Sequence, residues 1–161
     1  MNKLLIIYSS MTGGSAQMAS VAACAAGERV SVRVQAAAAT TAEDVLEADA
    51  YLFVTPENLA GMAGKMKDFF DRVYYDVEGH INGRPYALMV CAGSDGTGAV
   101  RQVERIATGL RLKPIAPALI VLTHAQTREA ILAYKHIGPE DQMRCADLGA
   151  AFAEGLAAGI F

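Results

Sequence analysis

Apolar runs of strand length alternate with helix-period patterns along the chain. Lys3–Tyr8 is almost continuously apolar and reads as a first strand, covered on both faces. A turn follows, then a helical stretch from Gly14 to Ala26. Arg29–Gln35 alternates valine with polar residues, the period of an exposed edge strand. Thr41-Ala42-Glu43-Asp44 has the form of a capping box and opens a short helix. Ala50–Thr55 predicts a buried third strand, stopped by Pro56. Met62–Tyr75 predicts a helix with Met62, Met66, Phe69, Phe70 and Val73 on one face. After a turn-like Gly79–Gly83 come a fourth strand at Tyr86–Cys91, a helix at Thr97–Leu110 and a fifth strand at Ile115–Leu122. His124–Ile137 has no clear period. Gly138-Pro139-Glu140-Asp141 starts the last helix, with proline and acids in its first turn.

The order βαβαβαβαβα with right-handed crossovers predicts an α/β fold: a three-layer, doubly wound, five-stranded parallel sheet. The leading strand order is 2-1-3-4-5, in a single domain spanning 1–161. Ala36–Ala39 reads as a loop, and Leu148–Phe161 as a packed helix or an oligomer surface. The apolar share, 53%, suits strands buried on both faces. A formal net charge of −3 gives no electrostatic case for nucleic acid or an acidic membrane. Cys24, Cys91 and Cys145 are too few and too scattered for a disulfide framework or a zinc site, so a reducing, cytoplasmic setting is expected. No run of about 18 uncharged apolar residues predicts a membrane span.

Ligands of such sheets bind beyond the carboxyl ends of the strands, at the switch point. Three loops converge there. The first is Ser9-Ser10-Met11-Thr12-Gly13-Gly14-Ser15, which joins a strand to a helix N-terminus. Free N–H groups and the helix dipole make this an anion site. Ser10, Thr12 and Ser15 add hydroxyls, while Gly13 and Gly14 let the backbone approach closely. With no lysine or arginine in the loop, a phosphate monoester fits better than a triphosphate. Neither the Walker pattern nor G-x-G-x-x-G is present. The same residues would also serve an ordinary Ser/Thr/Gly turn that only caps a helix.

Ser10-x-Thr12-Gly13-x-Ser15 resembles the T-x-T-G-x-T phosphate loop of flavodoxins, with serine in place of the outer threonines. The second loop, Thr55-Pro56-Glu57-Asn58-Leu59-Ala60-Gly61-Met62-Ala63-Gly64-Lys65-Met66-Lys67, resembles the segment P-x-x-x-x-x-M-x-G-x-[ML]-K of flavodoxin-fold NAD(P)H-dependent FMN reductases and quinone reductases. Phe69-Phe70-Asp71-Arg72 matches their following helix. Cys91-Ala92-Gly93-Ser94-Asp95-Gly96-Thr97-Gly98 resembles their Gly/Ser loop after the fourth strand. The resemblance covers residues from about 3 to about 122. It implies a flavodoxin-like fold, FMN held by residues 10–15, 56–61 and 93–95, and NAD(P)H as electron donor. Hydride would pass to the flavin and electrons onward to a quinone, flavin or small electrophile. It also implies a homodimer or homotetramer.

These loops have groups that suit a flavin's polar edge: the N–H groups of Asn58, Leu59, Ala60, Ser94 and Asp95, and the Asn58 side chain. Asp95 is a candidate tuner of its electronics. The chemistry is borne by the flavin, and no side chain is assigned as an essential acid or base. Two departures bear on function. No aromatic lies between Pro56 and Met66 or between Cys91 and Thr97, and the net charge is mild. Both weaken the reading as a flavodoxin-type electron shuttle and suit a reductase with an open flavin face. A flavin-free binding module is the second alternative. A hydrolase built on Cys91, Ser94 and His124 is disfavoured because the G-x-S-x-G elbow is missing.

Overall fold

A computed structural model describes residues 1–161. Its strands are β1 (Lys3–Tyr8), β2 (Ser31–Ala36), β3 (Ala50–Asn58), β4 (Gly61–Met62), β5 (Pro85–Ala92), β6 (Lys113–Pro114) and β7 (Leu119–Leu122). Its helices are α1 (Gly14–Ala26), α2 (Ala42–Glu47), α3 (Gly64–Val77), α4 (Thr97–Gly109), α5 (Arg128–Leu132) and α6 (Pro139–Ala157). The main sheet runs β2-β1-β3-β5-β6, all parallel, with β7 also on β5. Counting β6 and β7 as two pieces of one strand, this is the expected order 2-1-3-4-5.

The expected fifth strand, Ile115–Leu122, is broken. Lys113 and Pro114 pair with Pro85 and Tyr86, and pairing resumes only at Leu119, opposite Met89. Pro114 and Pro117 each lack an N–H, and the chain leaves the ladder between them. Pro56 does not end the third strand. Glu57 and Asn58 continue it by turning into an antiparallel hairpin with Met62 and Gly61. Met62 therefore belongs to β4, and α3 begins two residues later, at Gly64. Residues 37–39 form a 3-10 turn rather than an open loop, with Ala37 buried.

Alternation along each central strand divides the core. Leu5, Ile7, Tyr51, Phe53, Leu88 and Val90 face α3 and α4, with Phe53 packed 5.2 Å from the Phe70 ring and 5.9 Å from Tyr86. Leu4, Ile6, Leu52, Val54 and Met89 share the opposite core with α1 and α6. Gly149 on α6 lies against the Ala22 backbone of α1, where a side chain would collide. Arg84 donates to the Val45 and Leu46 carbonyls at the end of α2 and to the buried Tyr51 hydroxyl. Arg72 ties α3 to the carbonyls of Ala37 and Thr40.

The capping box at α2 forms as expected. Asp44 accepts from the Thr41 N–H at 2.8 Å and hydroxyl at 2.9 Å, and pairs with Arg33 at 2.8 Å. Burial pushes the Asp44 carboxyl up, but the Thr41 bonds and the Arg33 charge outweigh it and hold its pKa below the usual carboxylate value. The linked stability is therefore complete above the unfolded-state pKa, about 3.9, and is lost as pH falls through the lower folded value. Asp44→Ala is expected to destabilise the protein by about 1 kcal/mol near neutral pH. Urea titrations should show the gap between variant and parent closing below about pH 4; a constant gap down to pH 2 contradicts this assignment.

Candidate functional site

The carboxyl ends of β1, β3 and β5 open into a cavity of about 600 Å³. That volume lies within the range of about 300–1,000 Å³ typical of small-molecule sites. Its walls come from four segments: Met11 and Thr12; Pro56 to Ala60; Cys91 to Ser94; and a later stretch with Thr123, Ala125, Gln126, Ile131 and Lys135. The three loops singled out in the sequence thus meet at one opening. Ser10, Gly13, Gly14, Ser15, Gly61 and Asp95 do not form its walls.

The first loop is a nest of unpaired donors. Gly13 sits at φ 94 as the N-cap of α1. The N–H groups of Met11, Thr12, Gly14, Ser15 and Ala16 have no backbone acceptor, as helix geometry dictates for the first turn. Between Ser10 and Ala16 only Gly13 N–H has a partner, the Ser10 hydroxyl at 3.1 Å. Ser15 is 2% exposed and its Oγ has no partner. A buried hydroxyl beside several open amides is the arrangement that an anion completes. A methyl group on Gly14 would come within 2.7 Å of Cys91 Sγ, so the loop lies directly on the end of β5.

The second loop is a tight hairpin tip. Leu59 and Ala60 have φ of 51° and 66°, a left-handed pair occupied by two residues with side chains. Their N–H groups have no backbone acceptor. The tip is held from behind by α4. Glu57 accepts from Gly96 N–H at 2.9 Å and Ala99 N–H at 3.1 Å, so its carboxylate caps that helix. Gln102 Oε1 accepts from Met62 N–H at 2.9 Å. Thr55, fully buried, accepts from Ala63 N–H. Glu57 borders the cavity, yet both its oxygens are occupied by α4.

In the third loop the N–H groups of Gly93, Ser94 and Asp95 have no backbone acceptor. The Asp95 carboxylate is exposed and accepts from the Thr97 hydroxyl at 2.8 Å, which places it at the start of α4 rather than in the cavity wall.

The aperiodic stretch 124–137 forms the fourth wall, a contribution unassigned in the sequence reading. Its end crosses the first loop as a strap. Lys135 N–H donates to the Thr12 carbonyl at 2.8 Å, and Lys135 Nζ reaches Thr12 Oγ1 at 3.3 Å. Gln17 Nε2 lies 3.0 Å from the Gly13 carbonyl and 2.6 Å from the Lys135 carbonyl, while Gln17 Oε1 accepts from Ile137 N–H at 3.0 Å. The Tyr134 ring rests on Gly13, where any side chain would displace it. The loop is lysine-free in sequence, but not in space. The large apolar residues at the opening are Met11, Leu59 and Ile131, all exposed; no aromatic side chain lines it.

Cys91 lies in the cavity floor, and burial pushes its thiol up to about 11. Cys145, in the same core, is pushed up to about 11 for the same reason. Both thiols stay protonated at neutral pH, which removes the nucleophile a Cys–His hydrolase would need.

Residues 16–127 match the family model described as NADPH-dependent FMN reductase. The matched segment begins just after the first loop and ends before the strap. A protein from Aquifex aeolicus named flavodoxin is 37% identical over 100 residues, 61% of this chain. The match spans about half, 54%, of that relative's length. Among solved structures, a flavodoxin from the domain Archaea superposes with a TM-score of 0.76 at 18% identity, covering 94% of this chain and 96% of that one. A flavodoxin, WrbA-like protein from Agrobacterium tumefaciens superposes at 0.70 with 15% identity, covering 99% of each chain. The fold is flavodoxin-like.

The two buried thiols generate a direct test. At pH 8 an aromatic disulfide reagent should titrate one thiol per native chain, the exposed Cys24, and all three in denaturant. Two fast thiols in the native protein would show that Cys91 or Cys145 is open to attack.

Proposed function

The chain belongs to the NADPH-dependent FMN reductase family, and from that premise we propose that it is an FMN-dependent oxidoreductase using NAD(P)H and a small electron acceptor. The observation that carries this reading is the head of α1: a row of unpaired N–H groups around a buried, partnerless Ser15 hydroxyl, opening beside a cavity of ligand size.

The phosphate of FMN would be held by the Ser10–Ser15 loop, through the amides of Met11, Thr12, Gly14, Ser15 and Ala16 and the hydroxyls of Thr12 and Ser15. The ring system would occupy the space between Pro56–Ala60 and Gly93–Ser94. There the unpaired N–H groups of Leu59, Ala60, Gly93 and Ser94 meet the needs of a polar ring edge. Met11, Leu59 and Ile131 would supply the apolar contact. A bound flavin supplies two-electron chemistry, accepting hydride from a nicotinamide and passing electrons to a quinone, a free flavin or a small electrophile. The protein's part is to bind, orient and leave one face open. No side chain is needed as an acid or base, in keeping with the two inert thiols and the engaged Glu57. The name of the Aquifex relative favours a second reading, an electron shuttle using the same site without turnover of its own.

Purified protein should quench FMN fluorescence saturably. Thr12→Ala and Ser15→Ala should each weaken FMN by about 1–3 kcal/mol, the range for a hydrogen bond to a charged group. Unchanged affinity in both variants refutes the phosphate assignment. Steady-state NADPH or NADH oxidation with a quinone separates the two readings, because a shuttle shows none without a reductase partner.

A further inference from the structure

We propose that Lys135, from the strap rather than from any of the three loops, sets the preference of this site for a phosphorylated flavin over the unphosphorylated one. The inference rests on the FMN reading and adds a residue to it. Lys135 is the only cation among the residues that border the cavity, and Glu57, the only acid, is spent on α4. The chain has four ion pairs and none includes Lys135. Half-buried Lys135, whose charge faces no carboxylate, therefore stands next to a nest of amides without backbone acceptors. An uncompensated charge and a row of open amides at one place call for one anion.

The contacts of Lys135 give it a defined action. Its Nζ donates to the carbonyls of Ile131 at 2.8 Å and Ala133 at 2.6 Å, and to Thr12 Oγ1 at 3.3 Å. The three ammonium protons are thus accounted for. Because Thr12 Oγ1 accepts from the ammonium, its own proton is free to be donated elsewhere, and an anion in the cradle is the acceptor within reach. Lys135 is in this sense a positioning residue: it orients the Thr12 hydroxyl and adds a fixed positive charge behind it. The backbone bond from Lys135 N–H to the Thr12 carbonyl keeps the pair in register. A ligand without a phosphate gains nothing from either effect.

The experiment compares FMN and riboflavin binding to the full chain by fluorescence quenching. Lys135→Met should weaken FMN about ten- to a hundredfold, the span of a charged hydrogen bond, and change riboflavin affinity by less than about twofold. Lys135→Arg should restore most of the discrimination. Because Lys135 also closes the end of α5, a purely structural role predicts equal losses for both flavins; that result, or unchanged discrimination in Lys135→Met, overturns the inference while leaving FMN binding by the parent protein intact. The Thr12→Val, Lys135→Met double variant should lose less than the product of the single losses, and full additivity counts against the coupling. If the parent itself takes up no FMN, the function and this inference fall together.

Discussion

The first turn of α1 holds N–H groups that the protein itself leaves without acceptors, and much of the surrounding structure is arranged to keep them uncovered. Leaving one such group buried and unpaired costs about 1–3 kcal/mol. Several N–H groups without backbone acceptors, together with the buried Ser15 hydroxyl, concentrate hydrogen-bonding capacity at this helix end. Gly13, at φ 94, makes the left-handed turn into the helix and leaves room for the Tyr134 ring. Tyr134 rests on that glycine, and Gln17 stitches the strap to the loop through its amide. The strap thereby braces the cradle without supplying a carboxylate that would fill it.

The facing wall is fixed by a different device. A left-handed conformation costs about 1–2 kcal/mol for a residue with a side chain, and Leu59 and Ala60 both adopt it at the hairpin tip. Glu57 and Gln102 offset that strain by joining the hairpin to α4 on its far side. Gly98 lets the helix approach the Ala60 carbonyl, where a side chain would clash. The result is a tip whose backbone is pinned while the Leu59 side chain stands fully exposed at the cavity rim. The same contacts that hold the turn leave its N–H groups without partners.

The layered fold was readable because it rests on local period: buried runs such as Leu4–Ile7 and Leu88–Val90, the capping box at Thr41, and proline with acids at Pro139. The breaks were not. Pro56 reads as a strand stop, yet Glu57 and Asn58 find new pairing across a two-residue turn that no Asn-Gly or Asp-Gly announces. The split of the fifth strand does have a local cause in Pro114 and Pro117, which the apolar run through Leu122 masks. The site was partly legible. The three loops identify themselves by position after strands, whereas Lys135 lies 123 residues from Thr12 and sits in a segment without period. Glu57 reads as a cavity acid until its partners on α4 are seen. Gln17, within the first helix, gives no sign in the sequence of its bonds to the strap. In each case the deciding contact is long-range, and composition carries no trace of it.

The least packed wall of the cavity is the one that carries α5. α5 buries none of its residues, and Ile131 and Leu132 stand exposed. It is closed at one end by the Thr127 side chain and at the other by Lys135 on the carbonyls of Ile131 and Ala133. Segments with so few buried contacts open at low free energy. A reductase and a shuttle differ chiefly in whether a second molecule reaches the ring, so this wall bears on the choice between them more than the cradle does. The fixed point of that wall is the same lysine that touches Thr12. Its ammonium closes α5 on the carbonyls of Ile131 and Ala133 and orients the Thr12 hydroxyl at the same time, so one side chain joins the cradle to its loosest wall.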